Sequence, residues 1–353
     1  MTRIERLAEL LEEPLLVAGP PYVLGGQANV RYLTGLASSN AAVLVEPDAS
    51  ATVFTDFRYA SRAREIEGAE LVETARYLLP SIGAHLAGRR IAFEEQHLPY
   101  EGYRALAEAG VETVPTSGLV ESLRAVKDAD EIASMRRAGA LSDEVFAALS
   151  EERFSGRTER ELVWWVERSF REGGADGVSF PTVVAAGETG TSPHAVPGDE
   201  PIEPGVLVTI DAGCVVEAYC SDCTRTFAVG EVSERLSELH ALCLQAQLAG
   251  LEAVGPGVHG RDADAASRSL IDAAGLGEAF GHGLGHGVGL QIHEGPVLRP
   301  ESTDVLAAGN VVSVEPGIYV PGVGGVRIED LVVVTDDGSE RLTRFSKELL
   351  TVE

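Results

Sequence analysis

The chain has 353 residues, 44% of them hydrophobic, with a mean hydropathy close to zero; this excludes a disordered chain and leaves room for two domains. Its formal charge of −27, from 28 basic and 55 acidic residues, argues against nucleic acid or an anionic membrane as a partner. No apolar run is long enough to span a bilayer and the first residues carry no apolar leader, so a cytoplasmic location is expected.

In chain order, MTRIERLAELLEE predicts a charged amphipathic helix. The apolar runs YVLG (22–25), AAVLVEP (41–47) and ATVFTDF (51–57) predict strands, followed by helices near 58–67 and 99–109. Residues 1–122 therefore read as a small α/β domain. A charged helix over 121–132 is expected to connect it to a second domain, residues 123–353. Helical periodicity continues through EIASMRRAGALSDEVFAAL and ERELVWWVERSFREGG. Beyond about 178 the chain turns to short strands and glycine turns, interrupted by helices near 233–253 and 261–274. Hairpins are expected over 206–230 and 311–338, each with one acidic residue in the apolar part of each strand, a repetition that points to two related halves.

Those acids carry the chemistry. Asp211 follows VLVTI, Glu315 follows VVSV, Glu329 follows GVRI, and Asp222 lies opposite Asp211 in the first hairpin. A carboxylate among apolar strand residues is costly unless it is paired or binds metal. One such residue reads as half of an ion pair. Four of them, with only Arg225 and Arg327 near in sequence, call for divalent cations. Hard oxygen ligands with a histidine suit manganese, iron, cobalt or zinc. Four acids are also too many for one ion with an open position; they fit two ions sharing carboxylates, an arrangement for hydrolysis. The four cysteines, at 214, 220, 223 and 243, include a CxxC, but no second pair follows, and structural thiols are expected.

The stretch GHGLGHGVGLQIHEGP, residues 281–296, holds three histidines and six glycines. It lacks the lysine and Ser/Thr of a phosphate loop and the register of a dinucleotide turn, and the chain has no HExxH. It reads instead as a glycine-rich segment leading His282, His286 and His293 toward a common site.

In order, SPHA, TIDAGC, YCSDCTRTF, GHGLGHGVGLQIHEGP, VEPGIY and GVRIED resemble the proline-directed peptidases of the methionine aminopeptidase superfamily, Xaa-Pro dipeptidase (prolidase) and Xaa-Pro aminopeptidase. These motifs cover roughly 178–338. Residues 1–122, with NVRYLTG and TDFRYA, resemble the creatinase-type domain that precedes the catalytic one. The resemblance implies a pseudo-two-fold "pita-bread" α/β catalytic domain, a dinuclear metal centre and a homodimer or higher assembly. It implies Asp211 on one metal, His286 and Glu315 on the other, and Asp222 and Glu329 bridging. His293, seven residues after His286, matches the catalytic histidine. His194 matches a substrate-binding histidine and Glu315 a proton shuttle. His282, Tyr319 and Arg327 are expected to support the ligands or face substrate. Manganese is the expected metal, with cobalt or zinc as alternatives.

The substrates implied are small peptides with proline second. A dipeptidase must hold the free carboxylate of its substrate, and Arg299 in GPVLRP is one candidate; Val297, where many relatives carry an arginine, counts against such a clamp. Arg31 and Arg58, contributed by a partner subunit's N-terminal domain, are the alternative. The compact length favours a dipeptidase over an aminopeptidase. Creatinase shares the fold without the metals, and a non-catalytic binding protein would be expected to lack ligands; all five are present here. Methionine aminopeptidase is disfavoured by the additional N-terminal domain and by HGLGHGVGLQIHEGP, whose second histidine sits where that branch lacks one.

Overall fold

A computed structural model describes residues 1–18 and 26–353; the strand expected at YVLG lies outside the described residues. These residues form two compact units, Met1–Arg124 and Ala125–Glu353.

The first unit is built on a six-stranded sheet in the order Ala69–Thr74, Ala51–Asp56, Ala41–Val45, Leu15–Ala18, Arg90–Glu94, Glu112–Thr116. Ala41–Val45 runs antiparallel to both neighbours, and the outer pairs are parallel. The strand Leu15–Ala18 escaped the sequence reading because LLVA shows no alternation: all four residues are buried. Helices Gly26–Thr34, Leu78–His85 and Tyr100–Glu108 belong to this unit. Its core packs Leu16, Leu44 and Phe54 of the sheet against Ile82 and Leu106 of the latter two helices.

The expected continuous helix through 121–132 is instead two, Leu119–Ala125 and Ala129–Leu149. Asp128 starts the second with a capping box: its side chain accepts from the Glu131 amide, and Glu131 accepts from the Asp128 amide. A helix passing through that point would forfeit both bonds. Thr158 and Glu161 repeat the device ahead of Glu159–Glu172, whose buried face is Leu162, Val166 and Phe170.

The second unit repeats one plan. Helices Ala129–Leu149 and Glu159–Glu172 precede a mainly antiparallel sheet in which Leu207–Ala212 lies between Val183–Ala186 and Cys223–Val229. Helices Glu234–Ala253 and Gly260–Ala273 precede another in which Val311–Val314 lies between Gly285–Gly287 and Asp330–Val334. A pair of helices followed by a mainly antiparallel sheet thus occurs twice, as the pseudo-two-fold reading requires. Three of the glycines in 281–296, Gly283, Gly285 and Gly287, allow close packing against neighbouring backbone. A Cβ at Gly285 would run into the Ser313 carbonyl and one at Gly287 into the Gly295 carbonyl. All four cysteines are buried free thiols.

Candidate metal centre

Asp211 lies within Leu207–Ala212, while Asp222 immediately precedes the paired strand Cys223–Val229. His286 is central in Gly285–Gly287, Glu315 follows Val311–Val314, and Glu329 sits between Gly324–Arg327 and Asp330–Val334. The expectation of acids inside every strand is therefore corrected: only Asp211 is within one. A mid-strand side chain stands perpendicular to its sheet, whereas one at a strand end is free to lean toward a point off the sheet.

The ends converge. One carboxylate oxygen each from Asp211, Asp222 and Glu329 lies within 4.8 Å of the other two. His286 Nε2 stands 3.6 Å from Asp222 Oδ2 and 3.1 Å from Glu315 Oε1. Its Nδ1 is 3.1 Å from the Gly287 carbonyl, which sets the ring so that Nε2 faces the acids. Thr224 donates to Glu329 Oε2 at 2.7 Å, and Ser313 donates to Glu315 Oε1 at 2.9 Å.

Protein cations do not balance this charge. Arg327 donates to Asp211 Oδ2 at 2.6 Å, and not to Glu329. Arg225 is directed to Asp330 and to backbone carbonyls. Asp211 Oδ1 and Glu329 Oε1 are buried with no hydrogen-bond partner. Burial, then the neighbouring carboxylates, push Asp222 and Glu329 well above the usual carboxylate range. Glu315 goes the other way, to about 2: burial opposes its ionisation, but the hydrogen bond and charge of His286 outweigh it. Burial also works against protonation of His286, yet Glu315 raises its pKa overall. Orphaned buried oxygens beside hard donors short of positive charge fit divalent cations.

A second layer fixes the geometry. Arg327 also donates to the Tyr319 hydroxyl at 2.9 Å, and that hydroxyl lies 2.9 Å from His282 Nε2. With His282 Nδ1 2.8 Å from the Gly283 carbonyl, the simplest proton arrangement runs Arg327 to Tyr319 to His282. Burial lowers the His282 pKa, which favours this neutral ring.

A cavity of about 500 Å³ opens over the acids. His194, His282, His293 and Arg299 line it beside Asp211, Asp222, His286, Glu315 and Arg327. The His293 ring lies edge-on to His286, centroids 4.4 Å apart; burial and the His286 charge lower its pKa. Arg299 is exposed and makes no ion pair or side-chain hydrogen bond among the described residues. Of the alternative arginines, Arg58 is held by both carboxylate oxygens of Asp56, and Arg31 is half-buried in the helix Gly26–Thr34. The apolar walls, Phe180, Ile292 and Val297, gave no signal in the sequence. Thr224 and Ser313 did have one: each is two residues from an acid, on or beside a strand, which places both on the acid's face.

Carboxylates and histidines gathered at strand ends in a two-half α/β domain define a metallohydrolase. Residues 133–336 match metallopeptidase family M24, and residues 3–126 match the creatinase/prolidase N-terminal domain. The chain belongs to that metallopeptidase family. It is 32% identical to a Xaa-Pro dipeptidase of Pyrococcus horikoshii over 99% of this chain and 98% of that one. A solved Xaa-Pro dipeptidase from Bacillus anthracis superposes with a TM-score of 0.94 at 39% identity, over 99% of both chains. A solved X-Pro aminopeptidase from Thermotoga maritima superposes with a TM-score of 0.89 at 31% identity, covering 98% of this chain and 100% of that one. Among the described residues no helix is long and apolar enough to cross a membrane.

Proposed function

We propose that this chain hydrolyses Xaa-Pro bonds at a dinuclear metal centre, as a Xaa-Pro dipeptidase. The observation that carries the proposal is the convergence of Asp211, Asp222 and Glu329, with two oxygens left unpartnered, beside His286 and Glu315. These five residues would hold two divalent ions, with manganese proposed on ligand hardness. When bound, such ions make water nucleophilic near neutral pH and polarise the scissile carbonyl.

The chain's own groups do the rest. Ionised Glu315 accepts the proton of the attacking water and passes it to the leaving imino nitrogen. His293, on the cavity wall, donates a hydrogen bond to the carbonyl oxygen as negative charge develops there. His194, which also lines the cavity, orients the substrate, and Phe180, Ile292 and Val297 offer the proline ring an apolar surface. Tyr319 and Arg327 hold Asp211 and His282 in place.

Arg299 supports the dipeptidase over the aminopeptidase. An unpaired guanidinium on the cavity wall suits the free carboxylate of a dipeptide. Initial rates on Ala-Pro and Ala-Pro-Ala, with chelator-stripped protein titrated with Mn²⁺, test this. Turnover of Ala-Pro alone is expected. Cleavage of the tripeptide at Ala–Pro would make the chain an aminopeptidase, and no metal-dependent turnover of either would overturn the proline-directed reading.

A further inference from the structure

The first unit contains a cluster of metal-ligating side chains apart from the centre just described. Glu94 ends the strand Arg90–Glu94, His97 follows in the next turn, and Glu121 lies on the helix Leu119–Ala125. One ligand atom from each lies within 4.8 Å of the other two. A single amide organises the acids: Asn29 Nδ2 donates to Glu94 Oε1 and to Glu121 Oε1, both at 2.6 Å. Arg124 fixes that amide from behind, donating to Asn29 Oδ1 at 2.6 Å. His97 Nε2 lies 2.6 Å from Glu121 Oε1.

This arrangement satisfies one oxygen of each carboxylate and leaves the other. Glu94 Oε2 and Glu121 Oε2 are both buried with no hydrogen-bond partner, and Glu94 as a residue is only 3% exposed. A polar network built for stability alone would satisfy both oxygens of a carboxylate so deeply buried. Solvent nevertheless reaches the cluster from one side, since the side chains of His97 and Glu121 are 14% and 30% exposed. The side chains of His97 and Glu121 thus form the open side of the cluster. The Arg124 charge opposes a second cation here, although its Nη1 is committed to the Asn29 amide oxygen.

We propose that Glu94, His97 and Glu121 form a second divalent-cation site, selective for a borderline ion such as Zn²⁺ and structural in role. One imidazole with two carboxylates is a donor set zinc accepts, at ~2.0–2.1 Å per ligand, so small side-chain shifts from the present spacing suffice. The ion would tie the strand Arg90–Glu94 to the helix Leu119–Ala125, adding to the Asn29 and His97 bonds already made there. The Asn29 bonds would remain, because they use the other oxygens.

Metal content distinguishes this site from the first. Full-length protein is stripped with chelator, re-equilibrated with Zn²⁺ and desalted, and zinc per chain is measured for the wild type, Glu121→Gln and His97→Ala. The wild type is expected to retain one zinc per chain more than either variant, while both keep their Mn²⁺-dependent peptidase activity. Equal zinc in all three overturns the proposal. Should the variants fold poorly, zinc-edge anomalous diffraction from wild-type crystals decides: a peak among Glu94, His97 and Glu121 supports the site, and its absence at full occupancy elsewhere overturns it.

Discussion

Glu329 and Asp330 are neighbours in sequence, both acidic and both buried, yet they live in opposite electrostatic worlds. Asp330 is saturated by cations: Arg225 at 2.7 Å, Lys347 at 2.8 Å and Arg341 at 3.5 Å, with Gln247 donating as well. Burial raises its pKa, but Arg225 and Lys347 more than offset this and hold it below the usual range. Glu329 faces Asp211, Asp222 and Glu315, keeps one oxygen unpartnered and is pushed well upward by burial and by those acids. Successive residues along an extended chain point to opposite faces, so one step separates a completed ionic network from an incomplete one. Lys347 and Arg225 are turned to Asp330, while Arg327 is the one arginine that pairs with an acid of the incomplete face among the described residues. A protein able to neutralise one buried acid so thoroughly has left the other face for a cation from outside.

The same substitution at Asp222 and at Asp330 should have opposite consequences. Asp222→Asn should cost on the order of 10³-fold in turnover, because ligands of this kind supply several kcal/mol in the transition state. In chelated protein the same change should leave the melting temperature unchanged or higher, since it removes a carboxylate that burial and three other acids disfavour. A clear loss of stability in the chelated form would contradict the contrast. Asp330→Asn should instead destabilise by about 3–5 kcal/mol in urea, with or without metal, because it strands buried Arg225 and Lys347.

His240 extends the contrast, because it has no charged partner among the described residues. It is buried on the helix Glu234–Ala253, and burial alone lowers its pKa to about 4. The unfolded chain then binds the extra proton first, so the stability is fully present above pH 6.5 and is lost as pH falls from there toward 4. The loss is on the order of 3 kcal/mol. Urea midpoints measured across that window should fall steeply in the wild type and less so in His240→Gln. Smallest of all, Arg299→Ala should raise KM for Ala-Pro about tenfold with little change in kcat, the loss of one exposed charge-assisted contact. An unchanged KM would remove Arg299 from the carboxylate end of the substrate.

Much of this contrast was legible in the residues. The acids stood out because VLVTI, VVSV and GVRI are apolar enough to imply burial, and the shortage of nearby basic residues already called for metal. The helices near 233–253 and 261–274 followed from their periodicity and are found at Glu234–Ala253 and Gly260–Ala273. What stayed hidden depended on distant partners. Nothing in the sequence tells that Arg327 serves Asp211 while Arg225 serves Asp330, a choice made by strand register. The break at Asp128 was hidden differently: the charged periodicity of 121–132 masked a capping box that was present in the letters. The cluster of Glu94, His97 and Glu121 draws on separate elements with Asn29 as their link, and no local pattern joins them.

Anomalous diffraction from Mn²⁺-soaked crystals tests most directly whether external cations complete the face that Glu329 presents. Two manganese peaks are expected within coordination distance of Asp211, Asp222, His286, Glu315 and Glu329, and none beside Asp330. A carboxylate cluster that stays empty at millimolar Mn²⁺, with its oxygens still unpartnered, would contradict the metal-centre reading.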